Sequence, residues 1–240
     1  GKSGRTFEGQ ILEILAEGWR IATQAKSNRY PGLPFNTEGL DSIQVRKKTY
    51  QKFVKDFLRC AAAIDDNIGK MLDYLKENNL ADNTVIIYTA DQGYFLGEHG
   101  MMDKRMFLEE SLRMPFVIKY SKEIPANKRI DDIILNIDFP SLLLDYAGVS
   151  QPDSFQGKSF RSNLMLKTPS DWRKSMYYRY YAHAENRPSH MGIRTNQHKL
   201  IFYYGHPLGL KGIYTKKTTP PAWEYYDLEN DHMELSNQYN

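Results

Sequence analysis

From Tyr50 to Leu75 the chain repeats apolar residues at spacings of three and four: Tyr50, Phe53, Val54, Phe57, Leu58, Ala61, Ile64, Ile68, Met71, Leu72 and Leu75. Only an α-helix brings such positions onto one face. The spacing predicts a long amphipathic helix over residues 43–78, with Cys60 on its apolar side as a small core residue. Asn78 and Asn79 close the helix, and Asp82-Asn83 turns the chain. Residues 84–90 are then β-branched and apolar without alternation, the pattern of a strand buried on both faces. A helix followed by such a strand is half of a βαβ unit. The fold expected is therefore α/β, with a mainly parallel sheet and flanking helices. Ligands of such sheets bind at the carboxyl ends of the strands, and Asp91 stands at one.

Other segments fit this frame. The spacing over residues 7–24 predicts a helical stretch with Ile11, Ile14, Leu15 and Trp19 on one face, and Pro31, Gly32 and Pro34 are expected to break the chain after it. Residues 114–120 read as a second core strand. Residues 138–147 read as a helix, with Pro140 allowed in its first turn and Gly148 near its end. Residues 152–168 are loop-like. Beyond them lie short aromatic-rich runs at 176–181, 190–195, 199–204 and 223–228, which predict a small antiparallel sheet. The division expected is an α/β portion over 1–165 and an antiparallel subdomain over 166–240.

A net charge of +3, from 32 basic and 29 acidic residues, is too balanced to argue for a nucleic-acid or membrane-surface partner. There is no run of apolar residues long enough for a transmembrane helix. Cys60 is the only cysteine, so no internal disulfide can form. The first residues, Gly-Lys-Ser-Gly-Arg, lack the apolar core of a signal peptide, as a processed chain also would. The 17 tyrosines include the cluster Tyr177, Tyr178, Tyr180 and Tyr181. Such side chains suit half-buried strands and also suit contact with sugars.

The residues most suited to chemistry follow the first strand. Asp91 brings charge and Gln92 a neutral carbonyl oxygen, both hard donors for Ca²⁺ or Mg²⁺, and Gly93 permits a sharp turn. Asp91 fits a turn cap equally well when taken alone. Lys104 lies on the same loop and could hold an anionic oxygen or stabilise developing charge, with Arg105 as its competitor. His99 suits a proton donor or a substrate contact. Each of these is weak alone; their order is what is specific.

The stretch "NTVIIYTADQGYFLGEHGMMDKRMFLEESLRMPFVIKY" resembles the type I sulfatases of the alkaline-phosphatase-like superfamily, in particular bacterial glycan sulfatases of the N-acetylglucosamine-6-sulfatase type. "FLRCAAAIDDNIGKMLDYLKENNLADNT" is similar to the family helix before it. "NIDFPSLLLDYAGVSQPDSFQGKSF", "YYRYYAHAENRPSHMGIRTNQHKLIFYY" and "WEYYDLENDHMELSN" are similar to later family segments. The resemblance runs over residues 45–240. It implies that Asp91 and Gln92 are cation ligands, usually for calcium, and that Lys104 contacts sulfate. It implies substrate-binding roles for His99, His190 and Arg194, with His183 nearby in the C-terminal segment. It also implies a sulfated carbohydrate substrate and a periplasmic or secreted location.

The family's formylglycine nucleophile arises from a Cys-X-Pro/Ser-X-Arg motif, and the sequence does not contain one: Cys60 stands in Arg59-Cys60-Ala61-Ala62-Ala63. The Asp-Asp strand end that completes the family cation site is also missing, since Asp65-Asp66 lies in the predicted helix and Asp131-Asp132 precedes a strand-like run. The expectation is a C-terminal portion of a sulfatase, inactive alone, with exposed apolar surface that favours self-association. Two rivals are a metal-dependent phosphodiesterase or phosphomutase of the same superfamily and a non-catalytic glycan-binding relative.

Overall fold

The computed structural model describes residues 36–239 except 185–186 and 209–217. The helical stretch expected at residues 7–24 lies outside the described residues. The chain divides into two compact units, residues 1–81 with 94–104, and residues 82–93 with 105–240.

In the first unit the apolar repeat forms helix α1, Ser42–Glu77, close to the predicted bounds. Asp41 caps its start: its side chain accepts from the Gln44 N–H at 2.8 Å, and the Gln44 side chain accepts from the Asp41 N–H at 3.0 Å. Asp56 adds ion pairs one turn away on either side, to Lys52 and Arg59. No residue of α1 is buried. Phe57, Leu58, Ile64 and Met71 are exposed, and so is Cys60, which corrects its expected place in a core. Periodicity defines an apolar face but not what covers it. The same unit holds a small hairpin of β2, Phe95–Leu96, and β3, Met102–Asp103. Between them Gly97 adopts a φ of 124° with the Tyr50 ring of α1 against it, 3.1 Å from where a Cβ would sit.

The second unit begins with β1, Ile86–Thr89, which pairs with β4, Phe116–Lys119. The pairing is antiparallel, with Ile87 opposite Ile118. The α/β character is as expected, but no parallel pair occurs among the described residues. Nor is β1 buried on both faces, because Tyr88 is exposed, as is Val117 of its partner. Between these strands lies the single-turn helix α2, Glu109–Leu112. After β4 comes α3, Phe139–Ala147, with Pro140 in its first turn and Gly148 ending it in the left-handed conformation, φ 66°. A further turn, α4, spans Arg161–Leu164.

Leu142, Phe160, Leu164 and Trp172 form a buried cluster in this unit, with Ile87, Phe116, Ile118 and Phe139 packed against it. Asp138, at the start of α3, is wholly buried. It accepts from the Leu135 and Lys158 N–H groups at 2.8 and 2.9 Å and from both terminal nitrogens of Arg173. Gly157 passes so close that a Cβ would lie 1.9 Å from the Ile137 carbonyl oxygen.

The aromatic runs form the expected antiparallel sheet: β5 Ser175–Tyr180, β6 His190–Thr195, β7 His198–Tyr203 and β8 Ala222–Asp227. Each strand pairs with its neighbour in sequence. Phe107 is buried against this sheet, stacked on Tyr178 with ring centroids 5.1 Å apart. A Cβ on Gly192 of β6 would lie 2.3 Å from the Phe107 ring, so only glycine fits there.

Candidate functional site

The second unit carries Asp91, Gln92, His190 and Arg194, and the first carries His99 and Lys104. Asp91 is exposed just beyond the carboxyl end of β1, and Gln92 follows it, half-buried. The Gln92 Nε2 donates to the Ser111 carbonyl at 2.5 Å, and the Gly93 N–H donates to the same oxygen at 3.0 Å. An amide is planar, so fixing the nitrogen turns the Gln92 carbonyl oxygen away from Ser111. Gly93 is buried and could be no other residue: a Cβ would sit 2.2 Å from the Glu110 carbonyl oxygen. The donors at this strand end are thus one carboxylate and one oriented amide oxygen, a set that suits a hard cation.

In the first unit the loop from Gly97 is tightly wound. His99 has a φ of 52° and Asp103 one of 84°. Such angles cost backbone energy in residues other than glycine and concentrate where the chain must present particular groups. His99 meets the Phe95 ring edge-on at 6.0 Å. Lys104 follows β3 and is half-exposed.

His190 has no exposed surface and is ringed by Tyr178, Tyr180 and Tyr203, with centroids 5.4–5.7 Å away. Its Nδ1 lies 2.7 Å from the Pro188 carbonyl oxygen. A carbonyl only accepts, so Nδ1 carries the proton and the neutral ring has a bare Nε2. Burial pushes the imidazole down from 6.5 to about 4, the Pro188 hydrogen bond opposing this in part. The depressed value makes the ring neutral in the fold while the unfolded chain still takes up a proton below pH 6.5. Stability from this group is therefore full above pH 6.5 and is lost as pH falls towards 4, by about 3 kcal/mol. Urea unfolding of the chain across this window should show that loss, and His190→Phe should flatten it. An unchanged slope in the variant would remove His190 as its source.

Arg194 is not open to solvent as a free cation. Its Nε and a terminal nitrogen meet the two Glu109 carboxylate oxygens at 2.8 and 2.9 Å. It lines a cavity of about 740 Å³ with Thr89, Glu109, Arg113, Arg129 and Asp131. Burial alone would raise the Glu109 carboxyl, but the Arg194 hydrogen bond and the Lys199 and Arg194 charges outweigh it and bring the group from 4.5 to about 2. Glu109 and Ser111 hold Arg194 and Gln92. No local pattern marks them, and the segment "FLEESLR" shows only that two acids precede a serine.

Two family models match the chain: "Sulfatase" over residues 22–149 and "N-sulphoglucosamine sulphohydrolase, C-terminal" over residues 97–240. The chain is 43% identical over 192 residues to an N-acetylglucosamine-6-O-sulfatase of Bacteroides thetaiotaomicron, covering 78% of this chain and 32% of that protein. It is 34% identical over 124 residues to an extracellular sulfatase SULF-1 homolog of Drosophila melanogaster, covering 51% of this chain and 11% of that protein. Its structure superposes on that of BT4656 in complex with its substrate D-glucosamine-2-N,6-O-disulfate with a TM-score of 0.72 and 41% identity, covering 83% of this chain and 38% of the other.

Proposed function

Because the chain belongs to the sulfatase family, we propose that it is the C-terminal part of a sulfuric-ester hydrolase that removes sulfate from a sulfated carbohydrate. The observation that carries this reading is the Asp91-Gln92 pair just past the end of β1, with the Gln92 amide oriented by Ser111, in a chain 43% identical to an N-acetylglucosamine-6-O-sulfatase. On this reading residues 1–165 belong to the catalytic core and 166–240 to the C-terminal subdomain. The uncovered apolar residues of α1 support the expectation that the chain self-associates when the rest of that core is missing. Export to the periplasm or cell exterior fits the likeness to an extracellular sulfatase.

The hard oxygens of Asp91 and Gln92 suit calcium, which takes about six to eight such donors, so other residues of the full-length protein complete the set. Bound there, calcium supplies positive charge to the sulfate oxygens and favours an ionised nucleophile. Asp91 would contribute the countercharge, and Gln92, its amide nitrogen held by the Ser111 carbonyl, would offer its oxygen as a neutral donor. Lys104 presents an ammonium to the charge that grows on the sulfate as the ester breaks. His99, His190 and Arg194 are the candidates for shaping the sugar side. His190 does so from a buried position, and Arg194 through its hold on Glu109. The nucleophile, a formylglycine, lies outside these 240 residues.

One experiment tests this reading. The full-length protein should release sulfate from 6-O-sulfated N-acetylglucosamine and lose that activity on chelation of calcium, while the purified 240-residue chain releases none. Sulfate release by the short chain, or none by the full-length protein on any sulfated sugar, would overturn it.

A further inference from the structure

Gln92 sits on a loop, yet its amide is fixed by a backbone carbonyl, that of Ser111 in α2. With four residues, α2 is too short to persist through its own hydrogen bonds. Other groups in the second unit hold it in place. The Ser111 hydroxyl accepts from the Arg105 N–H at 2.8 Å. The Glu109 N–H, at the first position of α2, donates to the Glu234 carboxylate at 2.7 Å. The Glu109 carboxylate is gripped by Arg194 of β6 and lies 2.9 Å from the Lys199 ammonium of β7. Lys199 also lies 2.5 Å from Glu234, beyond β8.

Two carboxylates and two cations thus meet at the start of α2. Lys199 and Glu234 are buried, with only 1% and 2% of their surface exposed. In so dry a site each charge is tolerable only while its partners stay in place. The contact between α2 and the loop is equally tight, since Gly93 leaves no room even for a Cβ against Glu110 and Ser111. A shift of α2 therefore moves the Ser111 carbonyl and, with it, the Gln92 amide.

We propose that Glu109 is a positioning residue for the cation ligand Gln92: the buried ion network fixes α2, and α2 sets where the Gln92 oxygen points. This rests on Gln92 being a ligand, as read above. A purely structural network would change the melting temperature and leave calcium affinity alone, because nothing would link it to the ion. Groups that orient a metal ligand typically govern affinity by about 10–100-fold.

The test is calcium titration calorimetry of the full-length protein. Glu109→Gln, which keeps the shape and removes the charge, should weaken calcium binding by about tenfold or more. Asp138→Asn, which disturbs another buried ion pair of the unit, should lower the melting temperature and leave calcium affinity within about twofold, because its hydrogen bonds run to Leu135, Lys158 and Arg173 and not to α2. If Gln92→Ala weakens binding and Glu109→Gln does not, the positioning role is overturned while the ligand assignment stands. If Gln92→Ala leaves affinity unchanged, Gln92 is no ligand and the proposal falls with it. Should Glu109→Gln fail to fold, Arg194→Lys, which keeps the charge and gives up the two-pronged grip, is read the same way. Weaker calcium binding supports the proposal and unchanged binding overturns it.

Discussion

Asp138→Ala is expected to destabilise the second unit by about 3–5 kcal/mol, because it leaves a buried charge without its partner. The carboxylate has no exposed surface and receives hydrogen bonds from two backbone N–H groups and from Arg173. Truncation strands all of these. The Arg173 guanidinium is itself largely enclosed, with 17% of its side chain exposed, so water recovers little of the loss. The site ties three stretches together: the turn at Leu135, the loop at Lys158 and the approach to β5 at Arg173. Close packing of Gly157 on Ile137 prevents the loop from relaxing inward to fill the gap. Urea unfolding of the 240-residue chain measures the effect, and a loss below about 1 kcal/mol would show that water or another donor replaces the ion pair.

On the proposed function, Lys104→Ala in the full-length protein should lower kcat/KM for sulfate release by about 10²–10³-fold, the usual cost of removing one preorganised charge from a developing anion. If Lys104 contacts sulfate as proposed, the loss should fall mainly on kcat, because the ammonium would then act on charge that grows in the transition state. Arg105 is the control. Its backbone N–H donates to the Ser111 hydroxyl, and its carbonyl accepts from the Tyr178 hydroxyl at 3.1 Å, so its main chain serves the scaffold. Arg105→Ala should cost much less. Equal losses for the two substitutions would take the sulfate contact away from Lys104.

Much of this architecture can be read in the sequence because it is local. Residues three and four apart mark α1, apolar runs mark β1 and β4, and short, largely aromatic-rich runs separated by turn residues mark the four C-terminal strands. The Asp91-Gln92-Gly93 turn is visible for the same reason. What is not legible depends on residues distant in the chain. Pairing direction between β1 and β4 has no sequence period, and a helix before a strand favoured a parallel neighbour that the described residues do not show. The place of Cys60 depended on what covers its helix face, which no periodicity states. The hold on Gln92 joins Glu109, Arg194, Lys199 and Glu234, four charged residues that look in sequence like ordinary solvated groups.

The order of the C-terminal sheet bears on how the chain acquires its structure. Because β5, β6, β7 and β8 pair strictly in succession, each strand's partner is the next one along the chain, and only β6 and β7 are joined by a tight turn. This meander can zip up as it is synthesised. The ion network around Glu109 joins α2 to Arg194, Lys199 and Glu234, far along the chain, and it can close only once those residues are in place. The hold on the Gln92 amide, so far as it rests on that network, is therefore expected to be complete only when the C-terminal sheet is present.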